Sequence, residues 1–164
     1  MDLVALLYAT LQQFLRMSDA TTTTILIQAP VQRVWDIFMD PGYLQFWLTN
    51  FVSIEPLEGL PGEPGSTSRL IVNERGREIV VIEKVVDMVP QEFYAFTMTN
   101  PDFEAINELR FTTEASGTLI TQTSQFLPKG FFMKMMMPML KGEMKKRMSN
   151  ELQKLKQVIE NSDR

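Results

Sequence analysis

The chain contains neither cysteine nor histidine. Without cysteine it can form no disulfide, no thiolate nucleophile and no cysteine metal site. Without histidine it lacks the usual general base near neutral pH and the commonest metal ligand in proteins. The catalytic triads and zinc sites that depend on these residues are therefore excluded. A catalyst made from this chain would have to use Asp, Glu, Tyr, Lys or Arg, and we expect no metal or other cofactor.

A strong charge of one sign and long apolar runs are also missing. The net charge of the 164 residues is −4, so we expect no nucleic-acid partner. No apolar run is long enough to span a bilayer. The amino-terminal segment lacks the basic leading region of a secretory signal, and Gln12 and Gln13 break its apolar stretch. We therefore expect a cytoplasmic protein, of a length that favours one domain.

The residues that are present change their periodicity along the chain. Threonines and other β-branched residues before Pro30 favour a first strand. Apolar spacing then predicts two short helices, over residues 31–40 and 41–51. Alternating segments separated by turn residues predict about six further antiparallel strands. From about residue 130 to 161, apolar residues recur every three or four positions, as they do in a long amphipathic helix.

This order of elements predicts an α+β fold of the helix-grip type. Strands joined by hairpin turns form a curved antiparallel sheet, here of about six to seven strands. A single long helix with an apolar stripe has to bury that stripe, and the concave face of the sheet is the only surface large enough. We therefore predict that the sheet wraps around the C-terminal helix, with the two short helices following the first strand.

Four local patterns support this fold: IQAPVQRVWDIFMDP, LQFWLTNFVSIEPLEG, LPGEPGSTSRLIV, and SGTLITQTSQFLP ahead of NELQKLKQVIE. Together they resemble the START-like superfamily, also called the Bet v 1-like or polyketide cyclase/dehydrase and lipid transport group. The resemblance covers about residues 21–160 and implies one helix-grip domain over residues 17–164. It also implies a cavity between sheet and helix for lipids, sterols, polyketides, hormones or quinones. The fold does not choose among these ligands, or between binding and catalysis.

Residues 1–16 lie outside this resemblance and form a separate predicted element. Apolar residues recur there at helical spacing and predict an amphipathic helix over residues 3–15. They are Leu3, Leu7, Leu11 and Phe14. Two apolar surfaces then need a cover, namely this stripe and the face of the C-terminal helix that carries Phe132, Met135 and Met139. They can cover each other within one chain or across a homodimer, or they can contact a membrane surface.

The C-terminal helix begins with an unusual density of methionine, because residues 130–148 hold seven of the twelve in the chain. Leu140, Met144 and Met148 belong to the stripe that we expect to face the sheet. Methionine is flexible and fills irregular gaps. It therefore suits a wall that adapts to different ligands, and it equally suits a loosely packed core.

Strand alternation predicts which residues face the helix. A two-residue hairpin at residues 116–117 would set Phe111 opposite Gln122 and Leu109 opposite Ser124. These four side chains then share one face, and the opposite face is mostly polar, so we expect the four to point inward. Gln122 and Ser124 are polar groups on an apolar wall. Either a neighbour or trapped water satisfies them, or they orient the polar end of a ligand.

The predicted ligand site combines inward-facing residues of the sheet with aromatic residues of the second short helix and the stripe of the last helix. It consists of Tyr43, Trp47, Leu70, Val72, Leu109, Phe111, Gln122, Ser124, Leu140 and Met144. For Tyr43 and Trp47, a place in the ordinary core is the alternative interpretation. From this site we predict the binding of a small hydrophobic molecule that is lipid-, polyketide- or quinone-like.

Two other functions stay open. The first is an enzyme of the polyketide cyclase/dehydratase type, which would use Glu83, Tyr94 or Arg110 for proton transfer or polarisation; the lack of histidine favours binding over catalysis. Glu83 would have a raised carboxyl pKa if it faced inward, whereas an edge carboxylate in solvent, or one paired with Lys84 or Arg69, would have none. The second is a protein-interaction module that uses the methionine and phenylalanine face. The KGEMKKRM segment is interpreted as a solvated helix face.

Overall fold

The computed structural model describes residues 20–162. The helix predicted over residues 3–15, and the boundary predicted between residues 16 and 17, lie outside the described residues. The elements are β1 (Thr21–Ile27), α1 (Val31–Met39), a 3-10 turn (Pro41–Tyr43), α2 (Leu44–Trp47), β2 (Phe51–Glu58), β3 (Thr67–Glu74), β4 (Arg77–Val89), β5 (Phe93–Thr99), β6 (Phe103–Glu114), β7 (Gly117–Pro128) and α3 (Gly130–Asn161).

Within the described residues, the strands form a seven-stranded sheet in the order β1-β7-β6-β5-β4-β3-β2. Every neighbouring pair is antiparallel. Register shifts occur in β2 and, between Val85 and Asp87, in β4; such irregularities bend and twist a strand. The sheet is curved, α3 lies along it, and the two short helices follow β1. The predicted helix-grip fold is confirmed.

The short helices begin where the sequence provides starting signals. Pro30 precedes α1, whose inward face buries Val34, Trp35, Ile37 and Phe38. Asp40 then accepts a hydrogen bond from the backbone N–H of Gly42 at 2.8 Å, which fixes the turn into α2. The rings of α1 lie edge-on or tilted against the sheet, with 5.2 Å between the centroids of Trp35 and Phe111. This aromatic cluster closes one end of the concave face.

The predicted register of the β6–β7 hairpin was wrong by two residues. Glu114 pairs with Gly117, so Phe111 lies opposite Ile120 and Leu109 lies opposite Gln122. A shift of two residues keeps every side chain on its face, because strand side chains alternate with period two. The inward direction inferred for these residues therefore holds: Leu109, Phe111 and Ser124 are buried, and Gln122 is half-buried.

The close approach of β1 explains the true register. Gly117 has a φ of +146°, and a Cβ at this position would lie 2.1 Å from the carbonyl oxygen of Ile27. Only glycine fits beside β1 there, so Gly117 becomes the first residue of β7 and Ala115 and Ser116 form the turn. This contact joins residues that are distant in sequence, and the local pattern at the hairpin does not contain it.

The carboxyl-terminal half of α3 packs against the rest of the domain and forms hydrogen bonds with it. Its buried residues, Met148, Leu152, Leu155 and Ile159, all lie in that half. Lys156 Nζ donates to the carbonyl of Leu26 at 2.7 Å, and the N–H of Gln28 donates to Glu160 Oε1 at 2.8 Å. These contacts join the last turns of the helix to β1 and to the segment that follows it.

A polar cluster holds the middle of α3. Arg147 forms ion pairs with Glu74 and Glu151 and donates to the carbonyl of Thr49. Glu151 in turn accepts from the backbone N–H of Thr49 at 3.0 Å. The cluster ties α3 to the end of β3 and to the loop after α2. On the carboxyl-terminal side of this cluster, the helix is closely packed.

The amino-terminal half of α3 is less covered. The helix starts beside the β5–β6 loop, where the N–H and Nζ of Lys129 donate to the carbonyls of Asp102 and Asn100. From residue 130 to 147 the inward-facing side chains are half-buried, and several outward-facing ones are exposed. The prediction that α3 packs on the concave face therefore holds fully for its carboxyl-terminal half and partly for the other.

Candidate functional site

Strand pairing defines rows of residues across the concave face, because directly opposed residues of antiparallel strands point the same way. Leu109 is in the hydrophobic core, which fixes the inward direction of its row. The first row is Tyr94, Leu109 and Gln122. The second row is Val85, Phe96, Asn107 and Ser124. The third row is Ser68, Glu83, Met98 and Ala105.

Asn107 is the polar residue at the centre of the second row. Its side chain is buried between Phe96 and Ser124, and Nδ2 finds no hydrogen-bond partner among the described residues. Leaving a buried donor unsatisfied costs about 1–3 kcal/mol. The unsatisfied amide therefore destabilises the folded protein. An acceptor group of a ligand that binds on the concave face can satisfy it.

The sequence-based site did not include Asn107, although a signal for it existed. Ala105, Asn107, Leu109 and Phe111 alternate with period two, so an inward Leu109 requires an inward Asn107. The incorrect register placed Leu109 opposite Ser124, which is the position that Asn107 occupies. The polar pair of Asn107 and Ser124 was therefore not recognised.

Glu83 lies on the inward face, in the third row. It sits between buried Val81 and Val85, is itself half-buried, and makes no side-chain hydrogen bond or ion pair within the described residues. Burial raises the pKa of its carboxyl to about 7. Arg69, one of the suggested partners, instead pairs with Glu55 at 2.9 Å. Glu83 is thus a carboxyl group that changes its protonation near neutral pH.

The charge of Glu83 affects the pKa of Tyr94, whereas Arg110 lies on the other face of the sheet. Burial, and after it the negative charge of Glu83, raise the pKa of the Tyr94 hydroxyl well above its usual value. The hydroxyl therefore stays protonated at neutral pH. Arg110 is exposed, and its guanidinium lies 4.6 Å from the ring centroid of Phe93. It alternates with inward Leu109 and Phe111, which places it on the opposite face of the sheet.

The two aromatic residues proposed from the second short helix have different positions. Trp47 is buried and stacks on Phe38, with 5.9 Å between ring centroids. Its Nε1 is a second buried donor without a partner among the described residues. Tyr43 is half-buried and lines an open surface groove with Asp36 and Ser162. Tyr43 also packs against the hydrophobic core, and the groove that it lines contains no residue of the sheet rows.

The helical wall of the candidate site is the inward side of the amino-terminal half of α3. Leu140 and Met144 lie two turns and one turn before Met148, so they share its face. Both are half-buried, as is Met137. α3 starts beside the β5–β6 loop, next to the strand ends that carry Met98 and Ala105.

Solvent reaches the space between these two walls. Glu83 and Met98 on the inward face of the sheet, and Met137, Leu140 and Met144 on the inward side of α3, are only half-buried. We call this space the inner cleft and define it by Glu83, Met98, Asn107 and Ser124 on the sheet and Met137, Leu140 and Met144 on α3. Leu70 and Val72 are buried beside it on β3.

Two grooves of the surface lie elsewhere. One, of about 820 Å³, is lined by Asp87, Glu92, Phe93, Arg110 and neighbouring residues at the strand ends. It is open to solvent and carries several charges, whereas sites for hydrophobic ligands enclose most of the ligand and are mainly apolar. The inner cleft is the better candidate because its lining is apolar and its few polar groups are inside.

Comparisons with known proteins agree with this architecture. The family model described as "Polyketide cyclase / dehydrase and lipid transport" matches residues 19–160. Among curated proteins, none matches this sequence.

Within residues 20–162, no group of acidic side chains is arranged to hold a metal ion. No helix of that part of the chain is both long and apolar enough to cross a bilayer.

Several solved structures share the fold at low sequence identity. The Zhui aromatase/cyclase from Streptomyces sp. R1128 is 20% identical with a TM-score of 0.75, covering 88% of this chain and 95% of its own. The protein TTHA0849 from Thermus thermophilus is 19% identical with a TM-score of 0.72, covering 88% and 99%. Ara h 8.0201 is 15% identical with a TM-score of 0.66, covering 85% and 96%.

Proposed function

Because the chain belongs to the polyketide cyclase / dehydrase and lipid transport family, we propose that its inner cleft binds a small hydrophobic molecule that carries an oxygen acceptor. A lipid-, polyketide- or quinone-like compound has this chemistry. The observation that carries the proposal is the buried and unsatisfied Nδ2 of Asn107 on an otherwise apolar wall. The family match and the likeness to an aromatase/cyclase support the choice of ligand class.

The polar groups of the cleft define one end of the ligand. A carbonyl or hydroxyl oxygen that accepts from Asn107 would remove the cost of the unsatisfied donor, which is about 1–3 kcal/mol. Ser124 lies directly opposite Asn107 and adds a hydroxyl. The apolar body of the ligand would then lie against Leu140 and Met144. A few fixed polar groups within an apolar lining are typical of sites that orient small molecules.

The first test uses native mass spectrometry and a fluorescent ketone. We expect a lipid-like molecule to accompany the purified protein, and we expect the stripped protein to bind Prodan, an apolar dye with one carbonyl. Asn107→Leu keeps the branched shape of the side chain but removes the donor, and should weaken Prodan binding about tenfold, the equivalent of about 1.4 kcal/mol. Asn150→Leu makes the same change at an exposed helix position and is the matched control.

Blocking the cleft gives the second test. Ser124→Trp on the sheet wall and Leu140→Trp on the helix wall should each prevent Prodan binding while the circular dichroism spectrum stays unchanged. Two variants on opposite walls guard against the failure of one to fold. If both fold and still bind Prodan as the parent protein does, the ligand site is not the inner cleft and the proposal is wrong.

A second candidate function is catalysis of the cyclase or dehydratase type, and Glu83 is the observation that favours it. Its carboxyl has a pKa raised to about 7 by burial, and an acid or base is most effective when its pKa is near the working pH. Tyr94 would act as a hydrogen-bond donor. If the protein converts a polyketide-like substrate, Glu83→Gln should abolish turnover and leave Prodan binding intact. Turnover that survives in this variant would exclude Glu83 as the acid or base.

Other predictions from the sequence stay predictions. They are the cytoplasmic location, the separate amino-terminal helix over residues 3–15, and a homodimer or membrane-surface contact through that helix together with Phe132, Met135 and Met139. Of the two predicted contact surfaces, the one with Phe132, Met135 and Met139 lies within the described residues.

A further inference from the structure

The outward side of the amino-terminal half of α3 exposes four large apolar side chains. Phe131 is 82% exposed, Phe132 65%, Met135 60% and Met139 59%. Residues 131, 135 and 139 are four positions apart, and residue 132 is three before 135, so all four lie on adjacent turns of one helix face. We name these four residues the outer patch. Contiguous exposed apolar surface of this kind marks a contact site.

The charge around the outer patch has the opposite sign to that of the protein. Residues 129–146 contain five basic residues and one acidic residue, a net charge of +4. The whole chain carries −4, so the rest of the chain carries −8. Lys134, Lys145 and Lys146 are exposed next to the patch on the same helix. A strong basic surplus in this acidic protein is therefore concentrated around its exposed phenylalanines and methionines.

From this combination we propose that the outer patch docks on the surface of an anionic membrane. Phenylalanine and methionine would enter the boundary between headgroups and acyl chains, and the lysines would contact the anionic headgroups. This is the composition of helices that lie in the plane of a membrane interface. Each basic residue near such a surface strengthens binding by about fivefold, the equivalent of about 1 kcal/mol. The proposal does not depend on the inner cleft being filled.

Other occupants fit the charges less well. A second copy of the chain related by twofold symmetry would bring one +4 segment against another, which repels. The first sixteen residues contain one acidic and one basic side chain, Asp2 and Arg16, so they offer the lysines no surplus of carboxylates. The core of a protein–protein contact is usually poor in lysine. An anionic lipid surface satisfies both the apolar and the basic part of the segment.

Vesicle flotation with the full-length protein tests the proposal. We expect the protein to float with vesicles of phosphatidylcholine and phosphatidylglycerol, and to bind vesicles of phosphatidylcholine alone at least tenfold more weakly. Raising the salt concentration from about 50 to about 500 mM should weaken binding to the anionic vesicles, because salt screens exposed charges. No binding to anionic vesicles, or equal binding to both compositions, would overturn the proposal.

Matched substitutions locate the contact. Phe132→Ser should weaken anionic-vesicle binding about tenfold, because a buried large apolar side chain is lost, whereas Phe46→Ser, at an exposed phenylalanine on α2, should not. Lys146→Glu should weaken it at least fivefold, whereas Lys154→Glu, an exposed lysine further along α3, should have a smaller effect. Equal effects within either pair would overturn the assignment of the surface.

Two controls test whether residues 1–16 or a second copy of the chain, and not a membrane, binds the outer patch. Deletion of residues 1–16 should leave vesicle binding unchanged or strengthen it; loss of binding would move the membrane contact to that segment and overturn the proposal. Sedimentation velocity without vesicles should show a monomer. A dimer that dissociates in Phe132→Ser would assign the outer patch to a second copy of the chain and overturn it as well.

Discussion

The two halves of α3 are continuous in backbone and opposite in character. Residues 147–161 bury Leu152, Leu155 and Ile159 against β1 and α1 and are tied down by side chains at both ends of the segment. Residues 130–146 leave their inward side half-buried and four large apolar side chains exposed on the other. One half of the helix therefore stabilises the fold, while the other half is available for binding.

The residue types follow this division. The carboxyl-terminal half uses leucine and isoleucine, whose preferred rotamers define a close-packed core. The amino-terminal half uses methionine, which adapts to changing neighbours. A wall that opens for a ligand, or a face that enters a membrane, must not be locked by packing. The methionine-rich start of α3 is therefore consistent with both proposed contacts, one on each side of the same turns.

A substitution in the carboxyl-terminal half of α3 should destabilise the protein most. Leu155 is fully buried, so Leu155→Ala removes packed atoms and leaves a cavity. We expect a loss of about 2–5 kcal/mol in the free energy of unfolding, measured by urea titration. Leu140→Ala makes the same change at a half-buried site of the other half and should cost clearly less. Equal losses would contradict the division of α3.

A second effect concerns the pH dependence of stability. The pKa of Glu83 is raised by burial to about 7 from an ordinary value of 4.5. The folded protein therefore holds this proton more tightly than the unfolded chain does. Stability from this residue is complete below about pH 4.5 and is lost as the pH rises from about 4.5 to 7, with a change of about 1–3 kcal/mol.

The Glu83→Gln variant measures that change. Glutamine stays neutral, so the variant should gain stability relative to the parent as the pH rises, and the gain should level off above about pH 7. Urea titrations between about pH 4.5 and about pH 8 would show it. A parallel pH dependence of Glu83→Gln and the parent would mean that Glu83 is well solvated.

How far the sequence could predict these features depends on the range of the interactions. Periodicity along each segment was enough for the strands, the short helices and the length of α3, because burial of one face repeats locally. The register of β6 and β7 was not predictable in this way, since the approach of Ile27 to Gly117 decides it. The error of two residues preserved the inward face and concealed Asn107, the most informative residue of the cleft.

The difference between the two halves of α3 could be predicted only in part, because it also depends on contacts between residues distant in sequence. The apolar stripe and the outward Phe132, Met135 and Met139 could be identified from helical spacing. The point where close packing begins depends on Arg147, which pairs with Glu74, 73 residues away in sequence. Nothing in the local pattern identifies such a partner. The sequence therefore predicted the faces of the helix but not the depth to which each half is buried.

Arg147 lies at the boundary between the two halves of α3. Arg147→Met keeps much of the side-chain volume but removes the contacts to Glu74, Glu151 and the Thr49 carbonyl. We expect a loss of about 1 kcal/mol, because water screens a guanidinium that is more than a third exposed. Hydrogen exchange should rise in residues 140–147 more than in 152–161. Arg147→Lys should recover part of the protection, and equal exchange in both segments would contradict a boundary at this residue.

The smallest expected effect is at the outer patch. Met139 is 59% exposed in the folded protein, so folding withdraws little of its surface from water. Met139→Gln should therefore change the free energy of unfolding by less than about 0.5 kcal/mol, as is usual for surface substitutions. Met148→Gln, at the buried methionine of the same helix, places an amide in an apolar setting and should cost about 1–3 kcal/mol. Urea titration in buffer without lipid measures both. If Met139→Gln were as costly as Met148→Gln, a part of the protein would already cover the outer patch, and the patch would not be available to a membrane.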